Sequence, residues 1–309
     1  MELIRYIHNL KPRHQGCVVT IGNFVGVHLG HQAVIQQLKD YARDMGLPAV
    51  VVTFEPQPLE YFSAETAPAR LTSFREKVEW LNQHGIDRLV CLRFQASLAA
   101  LSAEQFVEKL LVEDLAVKRI VVGDDFRFGK GRKGTYQSLQ SFGVRYGFDV
   151  VSTETLIMQG RRVSSSRVRD ALKEGSLQEA RALLGRPYCM SGRVVHGDKR
   201  GRELGFPTAN ISLNRRITPL LGVYAVRVEG LAEESLDGVA NIGTRPVFDG
   251  KRLLLEVHLL DYNEEIYGQH LQVKFYKRLR SEMNFDSVDQ LRTQIDRDIE
   301  HARDYLSKR

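Results

Sequence analysis

Two histidines three residues apart, His28 and His31, bracket Gly30 in the run Gly22-Asn23-Phe24-Val25-Gly26-Val27-His28-Leu29-Gly30-His31. The apolar run Cys17–Ile21 precedes it and a helical spacing follows, so it reads as a strand-to-helix junction. Glycines there let the backbone approach a phosphate closely, and a helix start supplies free N–H donors. Gly22, Asn23, Phe24, Gly26 and Gly30 are the candidate phosphate-binding residues, and His28 and His31 the catalytic ones. Two imidazoles at such a point can stabilise charge on phosphate oxygens in flight. The chemistry they suit is attack by an anionic phosphate on the α-phosphate of a nucleoside triphosphate. Pyrophosphate leaves, and no general base is needed.

Three further runs carry suitable side chains. Ser164-Ser165-Ser166-Arg167-Val168-Arg169 offers hydroxyls and the guanidinium of Arg169 at a helix start, a set that suits β- and γ-phosphates. Gly123-Asp124-Asp125-Phe126-Arg127-Phe128-Gly129 follows an apolar run and forms a candidate nucleotide-contacting loop through Asp125. The stretch from Gly192 to Asn210 is basic and Gly-rich, with Gly192, Gly197, Lys199, Gly201 and Gly205 placed to wrap phosphates through backbone N–H groups. It is not a Walker A loop, since G-x-x-x-x-G-K-[ST] is absent.

The elements that must position these residues fall into two halves. In residues 1–186, strand-like runs at 17–21, 49–54, 89–94, 119–122 and 148–152 alternate with helical spacings at 31–45, 73–84, 102–111 and 138–146. That alternation predicts an α/β, Rossmann-like parallel sheet with ligands at the carboxyl ends of its strands. Two short helices close this half, over 166–174 and from Ser176 to Gly185, the second with Ser176 and Glu179 as a capping box. Residues 187–309 change character. Strand-like runs at 192–195, 223–228, 238–242, 253–260 and 271–275 have turn residues between them, predicting an antiparallel β-barrel. One helix ends the chain, capped by Ser287 and Gln290. Its stripe of Val288, Leu291, Ile295, Ile299, Ala302 and Leu306 is expected to be core.

With these motifs in place, the whole chain resembles the bacterial bifunctional riboflavin kinase/FMN adenylyltransferase family. The resemblance rests on the H-L-G-H loop, Phe54-Glu55-Pro56-Gln57-Pro58, the G-D-D-F-R-F-G loop, the S-S-S-R-V-R run and Pro207-Thr208-Ala209-Asn210. It implies an FMN adenylyltransferase domain over 1–186 and a riboflavin kinase domain over 187–309. It also implies that Thr208 and Asn210 hold Mg²⁺ with ATP. Glu256 would be the base that takes the proton of the riboflavin 5′-hydroxyl. Phe54, Pro56, Pro58, Phe126 and Phe128 would contact flavin in the first domain, and Arg280, Glu282 and Phe285 in the second. Val25 stands where the family usually carries Asp. That departure predicts weakened adenylyl transfer, with riboflavin kinase alone as the alternative activity.

Composition narrows the partners. The chain has 309 residues, 43% hydrophobic and 27% charged, with a formal net charge of +6. That charge is mild and forms no Lys/Arg-rich run, so small anions such as nucleotides are expected rather than nucleic acid. No stretch is apolar enough for a membrane span, and the N-terminus lacks a secretory h-region. Three widely spaced cysteines argue against disulfides and zinc. The expectation is a cytoplasmic monomer or weak homo-oligomer acting on riboflavin, FMN and ATP, with FAD as product.

Overall fold

The computed structural model describes residues 1–197, 204–213, 215, 217–247 and 250–308, with backbone only for 245–247 and 250–252. Its packing divides the chain into two compact units, Met1–Pro68 with Phe74–Val163, and Ala69–Ser73 with Ser164–Arg309.

The first unit is built on a parallel six-stranded sheet. Its strands are β1 (Glu2–Arg5), β2 (Cys17–Ile21), β3 (Ala49–Glu55), β4 (Arg88–Arg93), β5 (Val117–Gly123) and β6 (Asp149–Thr153), in the order β1-β4-β3-β2-β5-β6. β2 is buried along its whole length, which is why it reads as a continuous apolar run. Its alternate residues feed different cores: Cys17, Val19 and Ile21 one, Val18 the other. Helices cover the sheet: α1 (Leu29–Met45), α2 (Pro58–Phe62), α3 (Phe74–Gln83), α4 (Ala96–Ala99), α5 (Ala103–Phe106) and α6 (Tyr136–Tyr146). A π-helical stretch, Val107–Asp114, continues α5. β2 and β5 are neighbours whose following strands lie on opposite sides, so the loops after them flank the topological switch point. A two-stranded hairpin, β7 (Ile157–Met158) and β8 (Arg161–Arg162), follows β6.

The second unit holds helices α7 (Ser165–Glu174) and α8 (Leu177–Leu184) and a closed antiparallel barrel. Its strands are β9 (Tyr188–Val195), β10 (Ala209–Ser212), β11 (Gly222–Glu229), β12 (Leu236–Val247), β13 (Gly250–Leu259) and β14 (His270–Arg280), in the order β10-β13-β12-β11-β14-β9. Alternation sorts β13 and β14, while β9 and β11 are buried along most of their length. Tyr224, Val226, Leu255, Val257, Val273 and Phe275 are buried, while their neighbours Glu256, Lys274 and Tyr276 are only half-buried. The terminal helix α9 (Val288–Leu306) packs through Ala302 and Leu306 onto Val223, Ala225 and Val239.

Two expected caps form differently. Ser176 makes no side-chain cap, its ψ of 70° lying outside the extended backbone of an N-cap, and the Glu179 carboxylate, the other half of the expected box, accepts from Arg167 Nε at 2.9 Å. The Arg167 side chain is 6% exposed, and a charge-assisted bond at that depth outweighs a neutral backbone cap. At α9, Ser287 Oγ accepts from Gln290 N, but Gln290 Oε1 accepts from Asp286 N rather than from Ser287.

Candidate active sites

In the first unit, β2 delivers the chain into a tight loop. Phe24, Gly26 and Val27 take φ values of 46°, 80° and 42°. A β-branched residue such as Val27 rarely enters that region, and such strain collects where a loop is held for function. Val25, between them, is buried, 4% exposed. The loop ends at His28, the N-cap of α1, whose Nδ1 accepts a hydrogen bond from His31 N at 3.3 Å. The proton of neutral His28 therefore sits on Nε2, which becomes a donor. The two imidazoles stack, with centroids 3.7 Å apart and planes 17° from parallel. Gly30 makes this possible, since an added Cβ would lie 3.2 Å from the His28 ring.

Two buried polar atoms here have no partner, Asn23 Oδ1 and His31 Nδ1. An orphaned buried acceptor or donor costs about 1–3 kcal/mol, which a ligand can recover. Burial holds the His31 pKa well below the usual histidine value, reinforced by His28, Lys77 and Arg162. The sign for stability follows. An unfolded histidine protonates near pH 6.5 and the folded one only at lower pH. The contribution of His31 is therefore full above about pH 6.5 and drains as pH falls toward the folded value. Thermal melts of the wild type should lose more between pH 6.5 and 5 than melts of His31→Asn; parallel losses would contradict this.

The other predicted residues of this half divide. Asp125 accepts from Arg162 Nη1 at 2.5 Å, and that bond holds its carboxyl below the usual range. Phe126 and Phe128 stack at 5.4 Å, but Phe128 is buried against Phe106, so its ring belongs to the core. Only Phe126 keeps a half-buried surface for a ligand. Phe54, next to last in β3, meets Phe94 edge-on at 5.8 Å; Glu55 ends the strand and a cis Glu55-Pro56 bond follows. Pro58 opens α2, which brings Tyr61 and Phe62 onto Phe94. Phe62 is 64% exposed. This aromatic group at the carboxyl end of the sheet went unread in the sequence, although Tyr61-Phe62 beside two prolines was its signal.

Ser164, Ser165, Ser166 and Arg169 lie in the second unit. Ser164 caps α7 by accepting from Arg167 N at 3.3 Å, and Ser165 and Ser166 form its first turn. Arg169 Nε donates to Ala69 O at 2.6 Å. Among the glycines, Gly192 lies inside β9, where an added Cβ would meet Ser212 O at 2.2 Å. Its glycine is demanded by strand packing. Lys199 and Gly201 lie outside the described residues. Gly205 takes φ 91°, and Gly197 packs against the Asn210 side chain, 2.2 Å from an added Cβ.

Around the barrel the predicted residues converge. Asn210 on β10 pairs directly with Glu256 on β13, and Glu256 with Asn241 on β12. Directly opposed residues share a face, so the three polar side chains form one row across the outer wall. They line a cavity of about 430 Å³ together with Thr208, Arg280 and Glu282, and Phe285 also reaches it. Leu291, Ile295 and Ile299 of α9 line the same cavity, with Ile299 also packed on the core beside Ala302, so the expected core stripe borders a cavity over its first half and Val288 is exposed. A second cavity of about 350 Å³ opens at the barrel mouth beside Val194, Pro207 and Tyr267. Thr208 lines both. His258, unassigned in the sequence, holds this junction. Its Nδ1–H donates to Pro207 O at 2.8 Å, which fixes the tautomer.

Among the described residues no cluster of three or more His, Cys, Asp or Glu side chains stands ready for a metal. The donors at the junction are instead a hydroxyl, an amide oxygen and one carboxylate. Such hard, low-charge oxygens fit a Mg²⁺ that shares its shell with phosphates. Gly197→Ala should push the Asn210 amide aside and lower FMN formation about tenfold, the scale set by one displaced hydrogen-bonding group. Unchanged turnover at saturating Mg²⁺ would refute this.

Known proteins resemble both halves of the chain. The FAD synthetase family model matches residues 10–167, and the riboflavin kinase model residues 184–306. A bifunctional riboflavin kinase/FMN adenylyltransferase of Escherichia coli strain K12 is 53% identical, covering 99% of this chain and 98% of that protein. Relatives of the same description from Pseudomonas fluorescens and Haemophilus influenzae are 48% and 45% identical, covering 98% and 99% of this chain and 97% and 100% of their own lengths. A solved structure described as a macrolide-efflux protein from Streptococcus pneumoniae superposes with a TM-score of 0.83 at 33% identity, covering 98% of this chain and 99% of its own. Among the described residues no helix is long and apolar enough to cross a membrane. Two family models in tandem and full-length relatives above 40% identity place the chain in the bifunctional riboflavin kinase/FMN adenylyltransferase family.

Proposed function

We propose that the barrel transfers the γ-phosphate of ATP to the 5′-hydroxyl of riboflavin, and that the α/β unit transfers AMP from a second ATP to FMN. The observation that carries the first half is Thr208, common to two cavities and next to the Asn210–Glu256 pair. ATP would place its adenosine in the barrel mouth, and riboflavin its ring in the larger cavity. Glu256 would take the hydroxyl proton as the oxygen attacks the γ-phosphorus, and ADP leaves. Mg²⁺, held by Thr208 and Asn210, would withdraw charge from the phosphate oxygens.

In the second reaction an FMN phosphate oxygen attacks the α-phosphorus of ATP, and the bond to pyrophosphate breaks. The attacking group is already an anion, so the two imidazoles would act as hydrogen-bond donors and no general base is needed. His28 Nε2–H and His31 would stabilise the charge gathering on the α-phosphate oxygens. The aromatic group of Phe54, Tyr61, Phe62 and Phe94 would receive the flavin ring.

The catalytic division is proposed at 1–186 and 187–309. The enzyme would act in the cytoplasm as a monomer or weak homo-oligomer, on small molecules and without nucleic acid. Kinase activity alone is not favoured, because both family models match. The deciding experiment supplies riboflavin, MgATP and pyrophosphatase and separates FMN from FAD by chromatography. Both products are expected. FMN alone would sink the adenylyl half and make Val25→Asp the variant to compare; neither product would sink the whole reading.

A further inference from the structure

The wall of the larger cavity contributed by α9 contains one charged residue, Asp298, 3% exposed. A carboxylate so deep needs partners. Arg280 Nε donates to both of its oxygens, at 2.9 and 3.1 Å, and Gln294 Nε2 donates to Oδ1 at 3.0 Å. Arg280 lines the same cavity. Its guanidinium also sits 5.7 Å over the Phe285 ring, and its Nη1 donates to Ser281 O at 3.1 Å. Helix α9, the end of β14 and the loop between them thus hold one guanidinium. Without Asp298, the Arg280 guanidinium would lose its charge partner and be drawn toward water or toward Glu256 and Glu282, which line the same cavity.

We propose that Asp298 is a positioning residue of the riboflavin site, fixing the Arg280 guanidinium in the cavity wall to meet the polar edge of the flavin ring. The inference rests on reading this cavity as the flavin site. Asp298 touches no reacting atom and acts through Arg280. Its charge also cancels that of Arg280, so an uncharged ring meets a wall without net charge from this pair.

The test uses the full chain and riboflavin itself. Asp298→Asn keeps the shape and the Gln294 contact. It should weaken riboflavin binding, read by fluorescence quenching, about tenfold, as loss of one charged hydrogen-bonded contact does. KM for riboflavin should rise by the same factor with kcat within about twofold, since Glu256, Thr208 and Asn210 are untouched. Asp298→Glu should recover part of the loss. Arg280→Met should weaken riboflavin to at least the same extent, and Asp298→Asn added to it should cost nothing more. Wild-type binding by Asp298→Asn beside weak binding by Arg280→Met overturns the inference and leaves the flavin-site reading standing. Wild-type binding by Arg280→Met overturns that reading. Additive losses with a fall in kcat and melting temperature would make Asp298 merely structural and overturn the inference.

Discussion

Glu256→Gln removes riboflavin phosphorylation while leaving the conversion of FMN to FAD intact. The loss expected for deleting a general base is about 10²- to 10⁴-fold in kcat. The amide keeps the size of the carboxylate and its place between Asn210 and Asn241, so the barrel register stays and KM for riboflavin moves little. Glutamine cannot take the proton that the 5′-hydroxyl must lose. Steady-state FMN formation from riboflavin, set beside FAD formation from supplied FMN, separates the two activities in one preparation. A Glu256→Gln enzyme that makes FMN at more than a tenth of the wild-type rate would exclude the carboxylate as the base.

His28→Asn is the complementary case. Asparagine is itself a good N-cap, so it can still accept the hydrogen bond that His31 N now gives to His28 Nδ1. What it loses is the imidazole Nε2–H. FAD formation should fall by about 10²- to 10³-fold, the cost of removing one donor to a developing oxyanion. FMN formation should be unchanged. His28→Ala forfeits the cap as well, about 1 kcal/mol of local stability, so the two variants separate chemistry from folding. Equal rates of FAD formation in wild type and His28→Asn would take the imidazole out of the mechanism.

Most strands that carry the two sites were legible because they are apolar runs set between turn residues or charged residues. β1 was not: Glu2–Arg5 is short, half of it charged, and lies at the sheet edge. β10 hides in the Gly-rich run because four residues, Ala209–Ser212, carry little periodicity. Pro56 and Pro58 read as the stop of a strand, yet Pro58 also starts α2, where its missing N–H costs nothing. The aromatic group escaped with that helix. In α9 the periodicity named the right face, but spacing cannot say whether a face meets protein or a void. That is why Leu291 and Ile295 read as core, whereas Ile299 both packs on the core and borders the cavity. Phe128 failed in the opposite direction, since a motif match cannot tell a ring against ligand from one against Phe106.

Asn210, Glu256 and Asn241 occupy three consecutive rungs of the barrel ladder. Their separation is therefore one strand spacing each, roughly 4.7–4.9 Å, and is set by backbone hydrogen bonds that closure of the barrel leaves no edge to fray. A drift of sequence around these residues can alter what the cavity admits, but it cannot slide the Glu256 carboxylate away from its amide neighbours. Only an insertion or deletion within a strand can do that, and it would turn the side chain inward with the apolar set. The shape of the cavity and the spacing of its polar row are thus heritable separately, the first in loops and helix faces, the second in the weave of the barrel itself.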